Sequence, residues 1–281
     1  MDYTTAEQKG SDIVLSGVRC FNLAQTLDNG QAFRWLETDK GKFSGVAKGR
    51  RLELFSEGEN LVLRDVSPEE FETVWKDYFD FSRNYTNLRE KLSAWGGDVL
   101  RDALAFSPGL RLMRQDVWEI LISFILSQNS NIPRIKKMIS LLCEFFGEKL
   151  PCGAFAFPTP ETLAALSPKN LAPIKCGYRA GYIIDAACKT AGGLFNPSVL
   201  AALSSDEIKD SLLKIHGVGP KVAECVLLYG FGRVERFPLD VWMKRVMSQF
   251  YPTGFPSEIK NYSGIAQQFL FHYARNFFSK N

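Results

Sequence analysis

Residues 216–225, "HGVGPKVAEC", place two glycines, a proline and a lysine between positions 217 and 221. The run "SSDEIKDSLLKI" precedes them and "KVAECVLLYGF" follows, both apolar at helical spacing. Leu212, Leu213 and Ile215 give the first run an apolar face, and the glycines permit a turn that other residues resist. The chain here must fold as two helices joined by a tight hairpin. Bare N–H groups in such a turn, with the positive end of the second helix, suit a phosphate and carry no base preference. An ordinary αα turn packed in a core uses glycines in the same way, so the spacing alone leaves both readings open.

Lys221 adds chemistry to the turn. A lysine in the first turn of a helix meets the positive end of the dipole, which disfavours its charged form. A neutral amine is a nucleophile. Nineteen residues on, in "RFPLDVWMKRV", Asp240 opens another helix after Phe237, Pro238 and Leu239. Aspartate is a preferred N-cap, and a capping carboxylate facing Lys221 could also stabilise positive charge on a substrate.

The rest of the chain sets limits on that chemistry. At 281 residues it suits one large domain or two to three small ones. A net charge of +3 means that a polyanion must be held by local clusters of Lys and Arg. No apolar run reaches the roughly 18 residues of a membrane span. "MDYTTAEQKG" has no signal-peptide pattern, so the expectation is a soluble, intracellular protein. The six cysteines, at 20, 143, 152, 176, 188 and 225, form no C-x-x-C pair, and there are only two histidines. That argues against a zinc or iron–sulfur site and for a reducing compartment.

Texture changes near residue 67. Before it, "RRLELF" and "NLVLRDV" alternate like antiparallel strands with one buried face. After it, helices dominate: "DVWEILISFIL", "RIKKMISLLCEFFG", "ETLAALS" and "YRAGYIIDAACKTAGG" carry apolar residues at three- and four-residue spacing. Ser67 with Glu70 and Ser204 with Glu207 have capping-box spacing at two helix starts. The fold expected is α+β: an N-terminal antiparallel β-sheet domain with flanking helices over 1–108, then a mainly helical body over 109–281.

"LLKIHGVGPKVAECVLLYGFGRVERFPLDVWMKRV" resembles the helix-hairpin-helix, Gly/Pro-rich loop and aspartate of a superfamily of DNA base-excision glycosylases. A lysine in the hairpin implies a bifunctional glycosylase and β-lyase. "NGQAFRW" at 29–35, "SQNSNIPRI" at 127–135 and "SGIAQQFLF" at 263–271 narrow the resemblance to the 8-oxoguanine DNA glycosylases, in matching order along most of the chain. The resemblance implies a TBP-like N-terminal sheet, two helical subdomains with the lesion pocket between them, double-stranded DNA containing 8-oxoguanine as partner, and a monomer without a cofactor.

The resemblance also implies roles. Lys221 attacks C1′ and Asp240 stabilises the cationic sugar. The carbonyl of Gly30 accepts from N7–H, a proton that 8-oxoguanine has and guanine lacks. Gln267 reads the pairing edge of the flipped base, while Phe271 and Cys225 stack on its two faces. Asn129 fills the gap in the duplex, Tyr178 wedges beside it, and Arg134 and Arg179 grip the orphaned cytosine through its acceptors. Gly217, Gly219, Lys221 and Trp242 meet phosphates. Any cation would sit on hairpin carbonyls near Ile215 and Val218, with no side-chain ligands.

From the residues alone, each of these has a plainer reading: a turn at "DNGQ", a core aromatic at 271, packing at Cys225, and a helix-start surface pair at Tyr178-Arg179. Trp242 stands where many members have a histidine, Ser130 replaces an asparagine, and Pro220 precedes the lysine. Three other functions stay open: a DNA-binding module using only the hairpin, a monofunctional alkylated-base glycosylase, and a helical protein that binds other proteins.

Overall fold

In the computed structural model, residues 1–278 are described. Six strands form one antiparallel sheet in the order β1-β2-β6-β5-β4-β3, where β1 is Thr5–Lys9, β2 Asp12–Ser16, β3 Trp35–Asp39, β4 Lys42–Ala47, β5 Arg50–Glu57 and β6 Asn60–Leu63. The alternation in "RRLELF" does what its period requires. Leu52 and Leu54 enter the core, and Leu54 pairs with Leu63 of β6.

Phe71, Trp75, Phe79 and Phe81, from the helical stretch after residue 67 and the turn beyond it, close the buried face of the sheet together with Trp35 and Phe43. That helical stretch is the second layer that buries the apolar face of the sheet. Helices from Tyr85–Trp95 onward form a second, larger core that includes Leu92, Leu100, Ile125, Val226 and Phe269. The fully buried Arg111 joins the two parts, donating to Asp2 Oδ2 at 2.9 Å and to the carbonyls of Phe79, Asp80 and Arg83.

Helix starts follow their caps. Asn84, Asp116, Asn131, Ser204 and Asp240 each accept from the backbone N–H three residues on. Ser204 and Glu207 form the full reciprocal box. At Ser67 only half of the expected box forms. Its hydroxyl accepts from Glu70 N at 3.1 Å, but the Glu70 carboxylate accepts from Trp75 Nε1 at 3.0 Å and pairs with Arg50. A buried indole N–H left without a partner would cost more than a solvated cap N–H.

No helix among the described residues is long and apolar enough to cross a membrane. All six cysteines are free thiols.

Candidate active site

Helix Ser205–Leu213 and helix Pro220–Tyr229 flank the glycine hairpin. The Val218 N–H closes it on the Ile215 carbonyl at 3.0 Å, and the Gly217 carbonyl accepts from Gln128 Nε2 at 3.0 Å. Gly217 has φ +82, and a Cβ there would run into the Tyr182 ring. It is therefore glycine for packing as well as for the turn. Gly219 faces open space at the start of the second helix and caps it without a side chain, which leaves the first N–H groups bare.

Lys221 lies in the first turn of that helix, its Nζ 4.8 Å from the centroid of the Phe124 ring. The two residues a turn and two turns on, Cys225 and Tyr229, continue the same face, and Phe124 stacks flat on Tyr229 at 5.3 Å. Burial pushes the Cys225 thiol up to about 11, although Lys221 beside it pulls the other way.

Asp240 caps helix Val241–Phe250, its carboxylate accepting from Met243 N at 2.8 Å. Burial raises its carboxyl above the ordinary value, against the Met243 and Trp242 backbone N–H groups and the charges of Lys221 and Arg275. Capping and a place beside the lysine coexist in this residue.

Both residues open onto a cavity of about 740 Å³. Loop 28–34 brings Gly30 to its rim from the sheet side, at φ +94, where a Cβ would stand 2.8 Å from Ile132 Cδ1. From the C-terminal helix Ser263–Phe278 come Gln267, Phe271 and Arg275 at four-residue steps. Gln267 is 3% exposed; its Nε2 donates to Pro238 O at 3.2 Å, while Oε1 is buried without a partner among the described residues. A buried acceptor left unpaired is costly unless a ligand donates to it. No hydrogen bond to the Gly30 carbonyl forms among the described residues either.

The loop after helix Val117–Ser127 carries Asn129 at φ +46, and its Nδ2 donates to the hydroxyl of the exposed Tyr178 at 3.1 Å. Arg134 is exposed on the first turn of helix Ile132–Phe146. Arg179 is placed otherwise. It is 3% exposed, and its guanidinium donates to the carbonyls of Gln128, Asn129 and Cys176. It props the Asn129 loop from below. Trp242 lines the cavity with its ring stacked toward Phe278 at 6.5 Å and Arg245 at 5.3 Å.

Phe33, Phe124, Tyr229 and Arg275 also line the cavity, and the sequence reading did not single them out. Tyr229 and Arg275 each extend an i, i+4 series already in view, from Lys221 and from Gln267 respectively, so periodicity carried a signal for both. Phe33 and Phe124 had none beyond apolar character. Among the described residues no three His, Cys, Asp or Glu side chains come together as a metal site.

The chain matches the family description "8-oxoguanine DNA glycosylase, N-terminal domain" over residues 13–121, and "HhH-GPD superfamily base excision DNA repair protein" over residues 122–265. It belongs to the 8-oxoguanine DNA glycosylase family. Family members of known name or structure agree along nearly the whole chain. The N-glycosylase/DNA lyase of Saccharomyces cerevisiae is 30% identical over 257 residues, covering 82% of this chain and 68% of the yeast protein. The Clostridium acetobutylicum 8-oxoguanine glycosylase/lyase, solved with double-stranded DNA carrying cytosine opposite 8-oxoguanine, superposes with a TM-score of 0.91 at 35% identity over 99% of both chains. The structure of MBOgg1 with a low-affinity DNA ligand gives 0.92 at 42% identity over 99% of both. The N-terminal sheet and helical body of this 8-oxoguanine glycosylase family member are thus the family's fold.

Proposed function

We propose that this chain removes 8-oxoguanine from double-stranded DNA, preferring cytosine opposite, and then cuts the strand, acting as a monomer. The observation that carries this reading is one cavity lined by Lys221, Asp240, Gly30 and Gln267, the last with a buried Oε1 that has no partner among the described residues.

The damaged nucleotide leaves the stack to enter the cavity. Its N7–H donates to the Gly30 carbonyl and its pairing edge meets the Gln267 amide, with Phe271 on one face and Cys225 on the other. Lys221 Nζ bonds to C1′ as the glycosidic bond breaks and the base departs with the bonding pair. Asp240 offsets positive charge on the sugar. The C1′ amine adduct opens the ring to a Schiff base, loss of a C2′ proton follows, and the 3′ phosphate leaves by β-elimination.

Asn129 fills the vacated place in the duplex beside Tyr178. Arg134 meets the orphaned cytosine from its exposed position. For Arg179 to meet it, at least one of its bonds to the Gln128 and Asn129 carbonyls must be exchanged on DNA binding. Gly217, Gly219 and the bare start of the second hairpin helix hold phosphate, and Trp242 meets the phosphate next to the lesion from the cavity wall.

Borohydride trapping on a duplex with a single 8-oxoguanine tests substrate and covalent chemistry together. A lesion-dependent covalent complex is expected. Its absence, with undamaged DNA still bound, would favour a module that only binds DNA, and base release without trapping would favour a monofunctional glycosylase.

A further inference from the structure

The functional reading sets the Gly30 carbonyl, an acceptor, against the N7–H of the lesion, so its direction matters more than its presence. In a trans peptide the carbonyl and the next N–H point in opposite directions, and the chain has no cis peptide bonds among the described residues. Whatever holds the Gln31 N–H therefore aims the Gly30 oxygen.

That holder is Asn29. Gln31 N donates to Asn29 Oδ1 at 3.2 Å, and Asn29 Nδ2 donates to Gln25 O at 2.7 Å, so the side chain spans from the reading peptide to the preceding helix, Leu23–Leu27. Asn29 is fully buried. Its own carbonyl accepts from Arg275 Nη1 at 3.2 Å, and the same guanidinium lies 5.6 Å from the centroid of Phe271. The loop is thus tied to the helix that carries the stacking ring.

We propose that Asn29 is the positioning residue that aims the Gly30 carbonyl into the cavity, with Arg275 clamping it from the C-terminal helix. This rests on the functional reading above. Gln31 completes the frame without touching the cavity. Its side chain bonds the Thr26 and Arg111 carbonyls and the Met113 N–H, and its carbonyl accepts from Gln115 Nε2 at 2.8 Å. Gln115 N in turn donates to the Tyr229 carbonyl at 2.9 Å, so the reading loop and the helix of Lys221 share one hydrogen-bonded frame.

The test compares two reactions of the same protein. Asn29→Ala and Arg275→Met are assayed for single-turnover excision of 8-oxoguanine opposite cytosine and for cleavage at a preformed abasic site, which has no base to read. The expected result is a fall of about tenfold or more in the ratio of excision to abasic-site cleavage in both variants, the size of one lost recognition bond. Arg275→Lys, which keeps a donor, recovers most of the ratio. Thermal unfolding checks that the variants fold, and if Asn29→Ala does not, Arg275→Met decides, because it leaves the Asn29 side chain intact. An unchanged ratio in a folded variant overturns the proposal, as does a parallel fall in both reactions. An unmodified protein that releases no 8-oxoguanine sinks the functional reading itself, whereas one that does, with an unchanged ratio in the variants, sinks only this inference.

Discussion

The Cys225 thiol sits one helical turn beyond Lys221 on the same cavity wall, and burial pushes it up to about 11 although Lys221 beside it pulls the other way. A protonated thiol is a poor nucleophile, so two potential nucleophiles side by side do not compete. Lys221→Gln is expected to abolish base release and trapping while DNA binding survives on backbone and other basic contacts. Cys225→Ser keeps trapping and weakens lesion affinity. Trapping retained in Lys221→Gln would remove the lysine from its role.

Asp240 carries a pH prediction. Its carboxyl is raised in the fold by burial, so the folded protein holds that proton more tightly than the unfolded chain does. Stability attributable to this group is complete below the unfolded value and is lost as pH rises through the folded one. Activity needs the ionised form and moves the opposite way, falling on the acid side at a pH above that of an ordinary carboxylate. In Asp240→Asn that acid limb disappears and the rate drops about 10²–10³-fold, whereas the Met243 cap bond persists through the amide oxygen. A single-turnover pH profile showing the same acid limb in both proteins would assign it to another group.

Gly30→Ala tests the close approach at the cavity rim. The positive φ costs about 1–3 kcal/mol for a residue with a side chain, and the new methyl presses on Ile132 Cδ1, 2.8 Å away. Because the obstacle is the end of a flexible side chain, the protein should fold with a lowered melting temperature. Excision falls while cleavage at preformed abasic sites is retained. Equal losses in the two reactions would place the damage in the fold and not in base reading.

The opposite base is the last test. Adenine cannot present cytosine's acceptors in the same places, which leaves guanidinium donors unpaired at about 1–3 kcal/mol each. Excision opposite cytosine should exceed that opposite adenine by roughly tenfold or more. Arg134→Ala should erase most of this preference. Arg179→Ala should in addition loosen the Asn129 loop that Arg179 supports through the Gln128 and Asn129 carbonyls, and so lower excision opposite every base. Four duplexes differing only in the opposite base decide it. Equal rates across them in the unmodified protein would assign both arginines to other duties.

What the sequence determined alone is local in physical origin. The period of two in "RRLELF", the Ser204 and Asp240 caps and the glycines of the hairpin act within a few residues, so they could be read before any packing was known. The stripe of Gln267 and Phe271 and the turn from Lys221 to Cys225 were legible because four residues return a helix to the same face.

Tertiary structure decided what depends on distant partners. Glu70 left its cap for Trp75, Gly217 proved to be required by Tyr182, and Arg179 turned inward to carbonyls of a loop about fifty residues away. The site itself belongs to this class. Asn29 and Arg275 meet across 246 positions, and no local pattern records the encounter, because it follows from how the sheet and the helical body pack their two cores together.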